Sequence, residues 1–218
     1  MTIQIDVWSD IACPWCYLGK RRLEEAVAAS GEDVSVRYRS FQLDPSIPAD
    51  SAIPHAEALA AKFNTTPERV REMNQRLIDL GSEVGIAYDF DRYMAANTRD
   101  AHRLLHLAHA RGLGAQMKER LMQAQMIDGA IVSDHGVLVG LAAELGIAED
   151  EVRSVLDSDA YVDAVEADIA QAAAYGATGV PFFVFDEAFA VSGAQPVETF
   201  ALALTKAREA REAAAAPA

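Results

Sequence analysis

The chain has two cysteines, Cys13 and Cys16, three positions apart in SDIACPWCYL with Pro14 and Trp15 between them. Such a pair can do three kinds of work. It can form half of a structural zinc site, but such a site normally takes four ligands, and no second cysteine pair exists here. It can be two inert thiols, since free cysteine often behaves as a small buried hydrophobe. It can also be a redox pair, in which one sulfur attacks a disulfide and the other displaces the product. The surroundings favour the third reading, because a strand-like run precedes the pair and a helix follows it. At a helix start Cys13 meets unpaired backbone N–H groups and the positive end of the helix dipole, both of which favour thiolate. Its pKa is therefore expected below the free value of about 8.5. Cys13 would be the nucleophile and Cys16, one turn further in, the resolving thiol. Pro14 and Trp15 would set the stiffness and desolvation of the pair.

The elements that must position these sulfurs can be followed along the chain. IQIDVW (3–8) alternates apolar and polar residues as a strand does. Pro14 suits a first helical turn, where its missing N–H has no partner, and LGKRRLEEAVAA continues with helical spacing until Gly31. VSVRYRSF (34–41) reads as a second strand, ended by Pro45 and Pro48. From Ser51 to Asp159 alanine, leucine, methionine and charges dominate, breakers mark off four or five helices, and no strand is convincing. Thr66-Pro67, Asn97 to Asp100, Ser133 and Ala148 are expected helix entries, and Gly112 to Gly114 an inter-helix turn. A helix over 161–175, a hairpin turning at Asp186 and Glu187, and a final helix from Pro196 follow. The last stretch, AREAREAAAAPA, is low in complexity.

Composition narrows the partners. At 218 residues the chain can bury a core without cross-links. A formal charge of −14 repels phosphate backbones and anionic membranes, so nucleic acid is a poor partner. No run of about 18 apolar residues suggests a membrane span. MTIQIDVWSD has neither a basic leader nor a sustained apolar stretch, so the expected location is the cytoplasm. In a reducing cytosol a close cysteine pair cycles, or holds metal, rather than persisting as a structural disulfide.

CPWC after the first strand, a long helical insertion, and TGVPFF before a late strand resemble the DsbA-like thioredoxin-fold family. SDIACPWCYLGKRRLE, NTRDAHRLLHLA and GVPFFVFDEAFAVSGAQ further resemble its FrnE-like branch, related to 2-hydroxychromene-2-carboxylate isomerases and kappa-class glutathione transferases. The resemblance covers nearly the whole chain. It implies an α/β thioredoxin-like fold, discontinuous over residues 1–44 and 160–218, with a large all-helical insertion at 45–159 and a groove where the two parts meet. It also implies a thiol–disulfide oxidoreductase with Cys13 exposed and Cys16 buried. Val180-Pro181 would be a cis peptide against the cysteines, with the Val180 backbone open to a bound peptide or glutathione; the lesser alternative is an ordinary trans proline at the first position of a strand. The corresponding Asn-Ser/Thr segment of the related isomerases and transferases leans over the active site, which makes Asn97 a candidate contact. No metal and no tightly bound cofactor is implied, and the partners are protein or small-molecule thiols and disulfides, with glutathione a possible co-substrate. The rival readings are a glutathione-dependent isomerase or transferase, and a client-binding chaperone with spectator cysteines.

Other residues have plainer expectations. His102, His106 and His109 share one helix face, which imitates a metal arrangement, but packing or hydrogen bonding near the groove explains them better. His55 and His135 are expected at the surface or at caps. Asn97 with Asp100 approximates a capping box. Asp10 either perturbs the thiols by its charge or solvates a strand end. Lys20 either favours an anion or extends into solvent. Trp8 and Phe182 are expected in the core.

Overall fold

The computed structural model describes residues 2–215. Strand β1 (Ile3–Ser9) leads through the cysteine turn into α1 (Pro14–Ser30), which Gly31 closes in the left-handed conformation that glycine adopts without steric cost. Strand β2 (Val34–Ser40) returns parallel to β1, pairing Val7 with Tyr38. The chain then leaves the sheet and comes back as β5 (Phe182–Phe185) and β6 (Phe189–Ser192), a hairpin turning at Asp186 and Glu187. The four strands lie in the order β2-β1-β5-β6, with β5 antiparallel to β1. This mixed α/β sheet covered by helices is the thioredoxin-like architecture anticipated above.

Alternation along β1 assigns its faces. Ile3, Ile5 and Val7 point into the largest apolar cluster, with Leu23 and Ala26 of α1 and Phe200 and Leu204 of α9 (Val197–Ala215). Trp8 points the other way, where it packs with Phe182, Val184 and Ala172 of α8 (Val162–Ala174) and donates its indole N–H to the Asp168 carbonyl at 2.7 Å.

Between β2 and α8 the described residues form six α-helices: α2 (His55–Phe63), α3 (Pro67–Glu83), α4 (Arg99–Ala110), α5 (Gly114–Gln123), α6 (His135–Glu144) and α7 (Glu149–Leu156). The sequence reading undercounted them because α2 is short and follows Pro54, which offers no capping side chain. The insertion is also not wholly helical. Strand β3 (Ala52–Pro54) pairs antiparallel with β4 (Met94–Ala96), three residues each, too short to display a readable alternation. Helix entries at Thr66 and Ala148 agree with expectation, whereas α6 is capped by Asp134. Leu104, Leu105, Met117 and Leu121 of the insertion join the same apolar cluster as the sheet, so one continuous core holds both parts together.

Candidate active site

Cys13 is the N-cap of α1 and Pro14 occupies its first turn, so the chain enters the helix with both sulfurs within one turn. The Cys16 backbone N–H donates to the Cys13 carbonyl at 3.0 Å, and the two side chains are close enough to share a hydrogen bond. Both are free thiols. Cys13 is 4% exposed and Cys16 2%, which corrects the expectation of an exposed Cys13: the insertion covers it. Tyr93 donates its hydroxyl to the Ala12 carbonyl and Tyr88 to the Pro14 carbonyl, each at 2.6 Å, pinning the turn from outside the sheet domain. Leu77, Ile86, Met122 and Met126 complete the apolar shell around the pair.

The Val180-Pro181 peptide is cis, and the Cys13 thiol donates to the Val180 carbonyl at 3.8 Å. Gly19 makes room for this contact. A Cβ there would stand 2.9 Å from Pro181 Cγ and 3.2 Å from Phe183 Cζ, so α1 approaches the Pro181 loop only where it lacks a side chain. A cavity of about 550 Å³ opens beside Cys13, between the cysteine turn and the helices α2 and α3, and neither Val180 nor Pro181 lines it. Cys13, Pro14 and the exposed Trp15 line it; Cys16 does not. Asn97 lies outside the lining. Its side-chain N–H donates to the Ile47 carbonyl at 2.7 Å and its oxygen accepts from Arg99 N–H at 2.8 Å, so it ties a loop to the start of α4. Thr98 is the N-cap there, and Asp100 pairs with Arg103 and His135 rather than closing a capping box.

Charges buried beneath the pair set its electrostatics. Asp10 is buried and accepts from Leu43 N–H at 2.7 Å, while His102 Nε2 lies 3.2 Å from its other oxygen. Burial opposes its ionisation, but His102, Leu43 N–H and Lys118 outweigh that and hold the carboxyl below its ordinary range. Asp10 is therefore no solvating strand end. Burial lowers His102, and because an ionised Asp10 can only accept, Nε2 carries the proton. Lys118 of α5 is fully buried with its ammonium 3.0 Å from the Ser9 carbonyl, and burial depresses it from 10.5 to about 8 against the charges of Cys16, Asp10 and Cys13.

The expected lowering of the Cys13 pKa is not what this setting produces. The hydrogen bond with Cys16, burial, and the charges of Cys16 and Asp10 push the Cys13 thiol well up; among the main influences only the Cys16 backbone N–H opposes them. A helix terminus favours an anion by a modest amount, and here the Cys16 hydrogen bond, desolvation and the electrostatics of Cys16 and Asp10 exceed it.

The remaining expected residues take definite places. His102, His106 and His109 diverge to Asp10, to Ser40 with Asp168, and to the Tyr38 carbonyl. Lys20 is buried and paired with Glu24 and Glu119 at 2.6 Å each, so it neither reaches solvent nor serves the thiols alone. His135 is exposed and pairs with Asp100 at 2.8 Å. His55, expected at the surface, is buried and stacked on Tyr93 and Phe90 at ring separations of 4.3 and 5.3 Å. The sequence reading missed Lys118, Tyr88, Tyr93, His55 and Asn74. For Lys118 a signal existed: it stands on the apolar face of α5, one turn before Leu121 and Met122.

A paired-thiol turn at the head of a helix, facing an X–Pro loop on a β2-β1-β5-β6 sheet, defines a thioredoxin-fold redox protein. The chain belongs to the DSBA-like thioredoxin domain family, whose model matches residues 4–205. A probable DsbA oxidoreductase, SCO1869 of Streptomyces coelicolor, is 43% identical with a TM-score of 0.91, over 95% of this chain and 90% of that one. A 2-hydroxychromene-2-carboxylate isomerase superposes with a TM-score of 0.70 at 18% identity, over 97% and 98% of the two chains. The cytosolic disulfide reductase DsbM of Pseudomonas aeruginosa, solved with glutathione, gives a TM-score of 0.64 at 20% identity, over 94% and 99%. The last two share the fold. No described helix is long and apolar enough to cross a membrane.

Proposed function

We propose that this chain is a thiol–disulfide oxidoreductase in which Cys13 is the nucleophile and Cys16 the resolving thiol. The observation that carries the reading is the asymmetry of the pair: both sulfurs are close, but Cys13 alone lines the cavity. The Cys13 thiolate attacks one sulfur of a substrate disulfide, forming a mixed disulfide and releasing the other half as thiolate, which takes up a proton. Cys16, deprotonated, then attacks Cys13 Sγ and expels the second substrate thiol. Two electrons pass to the substrate and the Cys13–Cys16 disulfide remains. A small thiol such as glutathione resets it by the reverse exchange, two thiols being oxidised for each disulfide reduced. Pro14 and Trp15 line the cavity beside Cys13, and the Val180 carbonyl, next to Pro181, accepts from the Cys13 thiol.

The electrostatics support reduction of substrates over their oxidation. A strong oxidant of this kind draws its potential from a stabilised reduced form, and burial with neighbouring negative charge at Cys13 withholds that stabilisation. Glutathione as the reductant fits a reducing, cytosolic setting.

The experiment is to mix the Cys16→Ser protein with a disulfide-bonded substrate. The expected product is a mixed disulfide on Cys13 that accumulates in stoichiometric amount, with catalytic turnover lost. Full turnover by this variant would favour a glutathione-dependent isomerase or transferase instead.

A further inference from the structure

Lys20, Arg103 and Lys118 are the buried lysines and arginines among the described residues, and they are not held alike. Lys20 is paired with Glu24 and Glu119, and Arg103 with Asp100 and the carbonyls of Val155, Ser158 and Ala160. Lys118 of α5 forms no ion pair among the described residues. Its one hydrogen bond runs to the Ser9 carbonyl at 3.0 Å, although an ammonium carries three donors. A buried charge without a counter-charge is costly. Such a cation suits a site where a negative charge forms in the course of a reaction.

The neighbours decide which negative charge that is. A substrate anion does not reach Lys118, which is sealed from solvent and lies outside the cavity lining. Asp10 is already satisfied, its oxygens facing Ala12 N–H, Leu43 N–H and His102 Nε2. The cysteines remain. Ser9, whose carbonyl holds the ammonium, ends β1 where the cysteine turn begins, and Met122, one turn beyond Lys118 on α5, belongs to the apolar cluster that contains Cys16. The ionisable groups around the ammonium are Cys16, Cys13 and Lys20 of the α1 end, Asp10, and His102 of α4. Cys16 acts on it most strongly, ahead of Asp10 and Cys13.

We infer that Lys118 is a positioning residue for the resolving step, holding Cys16 as the thiolate while it attacks Cys13. This rests on the exchange chemistry proposed above and adds the group that activates its second step. Burial leaves a share of Lys118 as the neutral amine near neutrality. Once Cys13 is joined to a substrate sulfur, that amine takes the Cys16 proton, an S–H bond being exchanged for an N–H bond. The Cys16 thiolate attacks Cys13 Sγ, the Cys13–Cys16 bond forms, and the electron pair of the broken mixed disulfide leaves on the substrate sulfur, which is protonated from solvent. Lys118 keeps its proton until the bridge is reduced again, and then returns it to the departing Cys16 thiolate.

Two replacements separate this role from a structural one. Lys118→Met fills similar space without a charge, a change that buried ionic sites tolerate, and Lys118→Gln keeps a donor for the Ser9 carbonyl. Dithiobis(nitrobenzoate) releases one coloured thiolate when Cys13 attacks and a second when Cys16 resolves, so a stopped-flow trace reads both steps. Each variant should slow the second release about tenfold or more at pH 7 and move its pH profile to higher pH. The first release should slow by a smaller factor. Cys13→Ser leaves Cys16 as the only thiol, and its ultraviolet thiolate absorbance should appear at higher pH when either Lys118 replacement is added. Equal slowing of both releases, an unchanged second release, or full recovery by Lys118→Gln would overturn the role. A shifted Cys16 titration with no disulfide turnover in the parent would instead refute the exchange chemistry and leave the Lys118–Cys16 pairing standing.

Discussion

Substituting Gly19 by alanine probes how closely α1 must approach the Pro181 loop. In an open helical position the change is stabilising by about 1 kcal/mol, because alanine loses less backbone entropy and is the better helix former. At Gly19 the new methyl would lie 2.9 Å from Pro181 Cγ, 3.2 Å from Phe183 Cζ and 3.5 Å from Ala194 Cα. None can yield easily: the proline ring is rigid, and Phe183 is fully buried edge-on against Phe200 at 4.7 Å. Overpacking of this kind costs roughly 1–3 kcal/mol, so the net change should be a loss of up to about 2 kcal/mol, or several degrees of melting temperature at this chain length. Gly140, on the exposed side of α6 with no atom within 4 Å of its would-be Cβ, is the control. Gly140→Ala should gain about 1 kcal/mol. Urea unfolding of both variants, beside disulfide-exchange turnover, makes the comparison. Gly19→Ala should also lose turnover, because Val180, which holds the Cys13 thiol, adjoins the displaced proline. A Gly19→Ala protein as stable as Gly140→Ala, with parental turnover, would refute the close-approach argument.

Asp10→Asn removes one of the negative charges that raise Cys13, so alkylation of Cys13 by iodoacetamide should shift to lower pH; an unmoved profile would exclude Asp10 as a cause. Lys118 titrates near 8 in the folded chain against 10.5 for a free lysine, so between these values the unfolded state binds more protons and stability should rise with pH, by up to about 1.4 kcal/mol per unit. Lys118→Met should remove that rise, measured as the difference between the two unfolding free energies from pH 7 to 10. His55 is depressed from 6.5 to about 4, so the unfolded state again binds more protons in between, and stability should fall on acidification through that window. His55→Phe should flatten that segment of the acid-stability curve.

How much of this was legible follows from the range of each interaction. The cysteine turn, α1 with its Gly31 cap and the β5–β6 hairpin are written in neighbouring residues, so local rules located them. Strands β3 and β4 were invisible because each is only three residues long and its partner lies some forty positions away. The sign of the Cys13 shift was misjudged for a related reason. Its favourable influence, the helix start, is local, whereas Lys118, Tyr88 and Tyr93 reach the cysteine turn, and Asn74 the adjoining cavity, from helices and loops of the insertion; the burial that raises Cys13 comes with them. His55 shows the limit most plainly, since a histidine at a helix start reads as a cap until its stack on Phe90 and Tyr93 is seen.

The most direct test is a redox titration of the parent chain in graded mixtures of reduced and oxidised glutathione, scored by alkylation of the remaining thiols. One cooperative two-electron transition, ending in an internal Cys13–Cys16 bridge and lying on the reducing side of strongly oxidising DsbA proteins at about −120 mV, is the expected result. Cysteines that stay reduced throughout, or that each take up glutathione without ever joining, would contradict it.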